Sequence, residues 1–142
     1  MPAAPERHPE PPMRTPVRVS AYVDRPLEEV VGRFAEPGID EVLNEAATRA
    51  LNVRLEARLH AGEPVWESAV HVLVPLRWTV TGPRRTDTGH GAVSLLVVRS
   101  GRQAVTELLA DLPATEENRR AVAHVTRHVL DELALLVEAS GS

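Results

Sequence analysis

From Val17 to Asp24 the chain alternates. Val17, Val19, Ala21 and Val23 fall on one side, and Arg18, Ser20, Tyr22 and Asp24 on the other. A period of two predicts a half-buried strand. The period then lengthens. Leu27, Val30, Val31 and Phe34 recur at helical spacing from Pro26, with Glu28 and Glu29 in the first turn and Asp24 expected as the cap. Pro37-Gly38 ends that helix, and a second short one runs from about Ile39 to Ala50 with Val42, Leu43 and Ala46 on one face. Alternation returns from Asn52 to His60, where Val53, Leu55, Ala57 and Leu59 oppose Arg54, Glu56, Arg58 and His60. Ala61-Gly62-Glu63-Pro64 reads as a turn.

From Val70 to Val80 one face carries Val70, Val72, Val74, Leu76, Trp78 and Val80, and the other His71, Leu73, Pro75, Arg77 and Thr79. Proline cannot donate to a ladder, so an edge or a bulge is expected at Pro75. Residues 81–91 read as a polar loop, and Ala92 to Arg99 as a nearly all-apolar strand. Ser100-Gly101-Arg102 reads as a hairpin turn, and Gln103 to Leu112 as a further strand. The C-terminal helix has Thr115 as its expected cap and Glu116 and Glu117 at the positive end of its dipole. Val122, Val125, Val129, Leu133 and Leu136 form its apolar stripe, and His124, Arg127, His128, Asp131 and Glu138 lie opposite.

The order is one strand, two helices, an antiparallel meander and one long helix. Helices segregated to one side of such a sheet make an α+β domain. A chain of 142 residues with 43% hydrophobic content supports one core. Pro2, Pro5, Pro9, Pro11, Pro12 and Pro16 are half of the twelve prolines, so residues 1–15 are expected to form a flexible Pro-rich tail ahead of a domain at 16–140.

Charge and composition remove whole classes of function. All 16 positive residues are arginine and the net charge is −4. Without lysine there is no Schiff base and no P-loop lysine. A mildly acidic chain argues against nucleic acid as partner. With no cysteine there are no disulfides and no thiolate chemistry. No run is long and apolar enough to span a bilayer, and the N-terminus lacks a signal-peptide core, which points to the cytoplasm.

Three stretches carry a resemblance. "VRVSAYVDRPLEEVVGRFAEP" resembles the first strand, Pro-containing turn and helix of the START-like superfamily, also called SRPBCC or helix-grip. "VPLRWTVTGP" is similar to a mid-sheet strand of its bacterial members, and "AVTELLADLP" with "RHVLDELALLVE" resembles its closing segment. Birch pollen allergen and the polyketide cyclases share this superfamily. The resemblance implies a curved sheet wrapped around the C-terminal helix, with a hydrophobic cavity between them and no cofactor. It implies a lining of Val72, Val74, Leu76, Trp78, Val80, Ser94, Leu96 and Leu108 from the sheet, and Val125, Val129 and Leu133 from the helix. The sparse aromatic content favours an aliphatic or irregular ligand over a flat one.

The polar candidates each carry a plainer reading. In polyketide cyclases, cavity Arg and Tyr side chains orient an enol-type substrate, which marks Arg77 and Tyr22 here. By strand parity both point outward with His71, unless a bulge at Pro75 turns Arg77 inward. Glu107, if buried beside the cavity, could act as an acid or base. His124 and His128 have metal-ligand spacing but lack the acid of a metalloprotease motif and sit opposite the apolar stripe, and His90 with Asp87 lacks a third partner, so both pairs read as solvated surface. So do the Arg84-Arg85 and Arg119-Arg120 pairs. No metal site is expected. Three functions fit: carriage of a small hydrophobic molecule such as a lipid or polyketide, a cofactor-free cyclase or aromatase, and an interaction module with a filled core, for instance a homodimer.

Overall fold

A computed structural model describes residues 16–51, 56–84, 86–100 and 103–139. The tail expected at 1–15, the first part of the strand expected from Asn52, and Gly101-Arg102 of the hairpin turn lie outside them. The order is β1 (Val17–Val23), α1 (Leu27–Ala35), α2 (Ile39–Ala50), β2 (Glu56–Ala61), β3 (Val65–Ser68), β4 (His71–Thr81), β5 (Thr86–Ser100), β6 (Gln103–Leu112) and α3 (Arg119–Ala139). The six strands form one curved antiparallel sheet in the order β1-β6-β5-β4-β2, with β3 beside β4 on the edge it shares with β2. The α+β architecture is the expected one.

Alternation decides the two faces. Val17, Val19, Ala21 and Val23 are buried, opposite Leu112, Ala110, Leu108 and Thr106 of β6. Val93 and Leu95 of β5 and Val72, Val74 and Leu76 of β4 complete this inner face. Leu27, Val30, Val31 and Phe34 of α1 and Ile39, Leu43 and Ala46 of α2 close onto the same core. Each large aliphatic or aromatic side chain buried there stabilises the fold by about 1.5–3 kcal/mol before entropy.

The long helix is pinned at its far end. The backbone N–H of Asp24 donates to Glu138 Oε1 at 2.8 Å, and Arg25 Nη2 donates to the Glu138 carbonyl at 3.3 Å. Residues 113–118 connect β6 directly to α3. Hence α3 runs back antiparallel to β6 and in the same direction as β1, its start near Leu112 and its end near Asp24. The fully buried Thr106 donates its hydroxyl to the Arg25 carbonyl at 2.8 Å and ties the same turn to the sheet.

Several local expectations change. Asp24 does not cap α1, whose N-cap position is Pro26 without a side-chain bond; the Asp24 amide serves α3 instead. Thr115 sits one turn ahead of α3. Its hydroxyl accepts the Asn118 N–H while Asn118 Oδ1 accepts the Thr115 N–H, and the helix starts at Arg119. The turn at 61–64 contracts to Gly62–Pro64, and β3 follows it where no strand was expected. Most of the loop expected at 81–91 is strand, because β4 extends to Thr81 and β5 begins at Thr86.

There is no bulge at Pro75. Pairing with β5 runs unbroken through Val74↔Val93, Pro75↔Ala92 and Leu76↔Gly91. The Pro75 carbonyl accepts from the Gly62 N–H at 2.8 Å, so the imide nitrogen faces that same edge. There β2 has ended and β3 has not begun, so the missing donor costs no ladder bond.

Candidate functional site

The inner layer is closed at one end and looser at the other. Under the C-terminal half of α3, Leu130, Leu133, Ala134 and Val137 are buried. Toward its start, Val122, Val125 and Val129 are only half-buried. The sheet shows the same gradient. Val72, Val74, Val93 and Leu95 are at most 1% exposed, whereas Leu59, Trp78, Val80 and Leu112 remain half-buried.

Glycine shapes this loose end. Trp78 lies opposite Gly89 in the β4–β5 ladder. A Cβ on Gly89 would stand 2.6 Å from Trp78 Cε2 and Cζ2, and one on Gly91 would stand 3.2 Å from Trp78 Cζ3 and 2.7 Å from Leu112 Cδ2. The indole therefore lies flat on the β5 backbone, where any side chain would lift it away. The residues read as a polar loop are the seat of the largest side chain at this end.

Helix α2 closes the flank through the exposed edge of β2. Asp40 Oδ1 accepts the Ala61 N–H at 2.9 Å, and Asn44 Oδ1 accepts the Leu59 N–H at 2.7 Å. Two side chains one helical turn apart thus satisfy successive outward amides of an edge strand. They hold β2, and with it Leu59, against the domain.

The sequence-derived lining divides three ways. Trp78, Val80, Val125 and Val129 stand at the loose end. Val72, Val74, Leu76, Leu108 and Leu133 are packed within the closed core. Ser94 and Leu96 are on the outer face: Leu96 pairs with His71 and Glu107, and Ser94 Oγ lies 3.0 Å from His71 Nε2. The inward residue of that strand is Leu95, one position away, so Leu96 faces outward and not into the expected lining. The stripe along α3 also shifts. Thr126, Leu130, Leu133, Ala134 and Val137 are its buried line, because β1 and α2 grip the helix from two sides. Val122, Val125, Val129 and Leu136 flank it, half-buried.

Tyr22, Arg77 and Glu107 all project from the outer face, away from α3. Tyr22 and Glu107 are cross-strand neighbours. The Glu107 carboxylate, through its charge and then its hydrogen bond, holds the Tyr22 hydroxyl above the ordinary phenol value of 10.0. Arg77 stands between His60 and His90. His124 and His128 contact each other edge to face at 4.5 Å on the exposed side of α3, while Asp87 and His90 leave opposite faces of β5. Arg84, Arg119 and Arg120 are exposed, and Arg85 lies outside the described residues. Among the described residues no group of three or more potential metal ligands occurs, and no helix is long and apolar enough to cross a membrane.

Sequence reasoning missed Gly89, Gly91 and Leu112 at the loose end. Leu112 carried a signal in the alternation of β6. The two glycines carried none until the register placed Trp78 across from them.

No protein-family model matches the chain, and no curated protein resembles it significantly in sequence. Solved structures do resemble it in shape. KanY superposes with a TM-score of 0.51 at 8% identity, over 88% of this chain and 98% of KanY. DynU16, from the dynemicin biosynthetic locus, has a TM-score of 0.49 at 13% identity over 88% of this chain. This chain spans only 48% of DynU16. Truncated norcoclaurine synthase from Thalictrum flavum has a TM-score of 0.44 at 12% identity, over 88% of this chain and 94% of the other. The likeness to KanY is one of fold, and with a curved six-stranded antiparallel sheet, two short helices after the first strand and one long closing helix, this chain has a helix-grip fold.

Proposed function

We propose that the protein binds a small, largely apolar molecule between the sheet and the N-terminal half of α3. The observation that carries this is the burial gradient: apolar side chains are sealed at one end of the inner layer and half-buried at the other. Val122, Val125 and Val129 from the helix, with Leu59, Trp78 and Val80 from the sheet, are the residues that would contact it. Half-buried aliphatic surface gains from a ligand that completes its removal from water, at about 25 cal/mol per Å². Few rings stand there besides Trp78, which suits an aliphatic or irregular ligand such as a lipid or polyketide chain. The three polar side chains marked for catalysis leave the sheet on the opposite face, so the reading is one of binding and carriage.

The test is titration with the neutral apolar probe N-phenylnaphthylamine, followed by fluorescence. Saturable binding is expected, weakened about tenfold by Val125→Asn or Trp78→Ala. Native mass spectra of the purified chain, with solvent extraction, would identify any ligand carried from the host. Absence of saturable binding, or binding untouched by both substitutions, would overturn the reading.

A further inference from the structure

The outer face carries a second feature that this binding reading does not use. The ladder places Arg58 beside Thr79 and Thr79 beside Thr88, and it places His60 beside Arg77 and Arg77 beside His90. These are two parallel rows crossing β2, β4 and β5. They are two residues apart along each strand, or about 6.6 Å. Between them run Leu59, Trp78 and Gly89, whose side-chain positions belong to the inner face, so their backbone forms a floor. The result is a trench of about 540 Å³ lined by these nine residues. That volume lies in the range of small-molecule sites.

The walls are rich in donors. Arg58 and Arg77 sit diagonally across the trench, an arrangement of like charges that is unfavourable when nothing lies between them. Glu56 approaches Arg58 at 3.5 Å on the side away from Arg77. Among the described residues Arg77 has no hydrogen-bond or ion-pair partner, although the chain as a whole is acidic. His60 is steadied by Asp40, whose Oδ2 lies 2.6 Å from its Nδ1. Thr79 and Thr88 add hydroxyls to the opposite wall. A tetrahedral oxyanion has the chemistry to meet this set: guanidinium groups bind phosphate through paired N–H donors, and hydroxyls donate to the remaining oxygens.

We propose that this trench binds the phosphate group of a small molecule, with Arg77 as the principal contact and Arg58, Thr79 and Thr88 completing the site. Such a ligand would be read on the sheet face opposite α3, independently of the apolar molecule proposed above.

The experiment is a titration of the whole chain, labelled with ¹⁵N, at constant ionic strength, with inorganic phosphate and separately with phenyl phosphate. Saturable amide shifts are expected at Leu59, Trp78 and Gly89. Arg77→Gln should weaken binding about tenfold. Arg18→Gln, on the same sheet face but paired with Asp111 at 3.5 Å, should not weaken it. Tighter binding of phenyl phosphate identifies an ester ligand, and equal or tighter binding of inorganic phosphate identifies the free ion. Unperturbed amides elsewhere show that Arg77→Gln is folded. Failure to saturate with either probe, or equal loss in Arg18→Gln and Arg77→Gln, would overturn the proposal.

Discussion

Substituting Gly89 by alanine probes the loose end of the inner layer directly. The backbone of Gly89 is extended strand that alanine adopts without strain, so any cost must come from the new methyl group. That carbon would stand 2.6 Å from Trp78 Cε2 and Cζ2 and 2.7 Å from Nε1. Carbon atoms normally pack at about 3.5–4.0 Å, so the indole has to retreat by roughly 1 Å. Overpacking of this kind costs about 1–3 kcal/mol, and the smaller entropy of the unfolded alanine chain returns about 0.4–1 kcal/mol. The net loss should be about 0–2.6 kcal/mol. In a Trp78→Leu background the opposing ring is gone, and the same alanine should be neutral or stabilise by about 0.4–1 kcal/mol. Urea unfolding of the four proteins, followed by far-ultraviolet circular dichroism, gives the coupling as a double-mutant cycle. Gly91→Ala is the internal control. Its methyl would meet the Asp111 carbonyl at 2.9 Å and Leu112 Cδ2 at 2.7 Å as well as the indole, so Trp78→Leu should not rescue it. An equal cost for Gly89→Ala in both backgrounds would refute the placement of Trp78 on the β5 backbone.

Other consequences are open to measurement. Tyr22 is the only tyrosine, so phenolate absorbance reports it alone; its midpoint should lie above 10.0 and fall toward that value in Glu107→Gln. Because the folded state holds this proton more tightly than the unfolded state, its contribution is present below the ordinary phenol value and lost as pH rises through the elevated one. Asp40→Ala and Asn44→Ala each remove the acceptor of an edge-strand amide, and each should cost about 1 kcal/mol with faster hydrogen exchange at Ala61 and Leu59 respectively. Thr106→Val keeps the shape of a fully buried side chain but leaves the Arg25 carbonyl without this donor, and should lower stability by about 1–3 kcal/mol in the same urea assay.

Much of the fold is legible in the chain itself. The alternation of β1 and β4 announces which side chains share a face, and the spacing of Leu27, Val30, Val31 and Phe34 announces which side of α1 is buried. These signals are local, since a strand or helix orients its side chains with a fixed period whatever lies around it. That is why the chain alone places the two short helices, and why Tyr22 and Arg77 were expected on the outer face.

Tertiary structure decided what each face meets. β3 is exposed along its length, so Val65–Ser68 carries no contrast between an inner and an outer side to betray a strand. Thr86–Gly91 has the composition of a turn, and only the long β4 beside it, with the indole seated on Gly89, makes it a strand. Helix α3 carries an apolar arc wider than any single partner covers. Its contacts with β1 and α2 chose which part is sealed and left Val122, Val125 and Val129 half-buried. The outer trench is equally invisible in one dimension, because Arg58, Arg77 and His90 come from three strands and meet only through the register. Periodicity assigns residues to faces one element at a time, whereas a site is made where faces of distant elements come together.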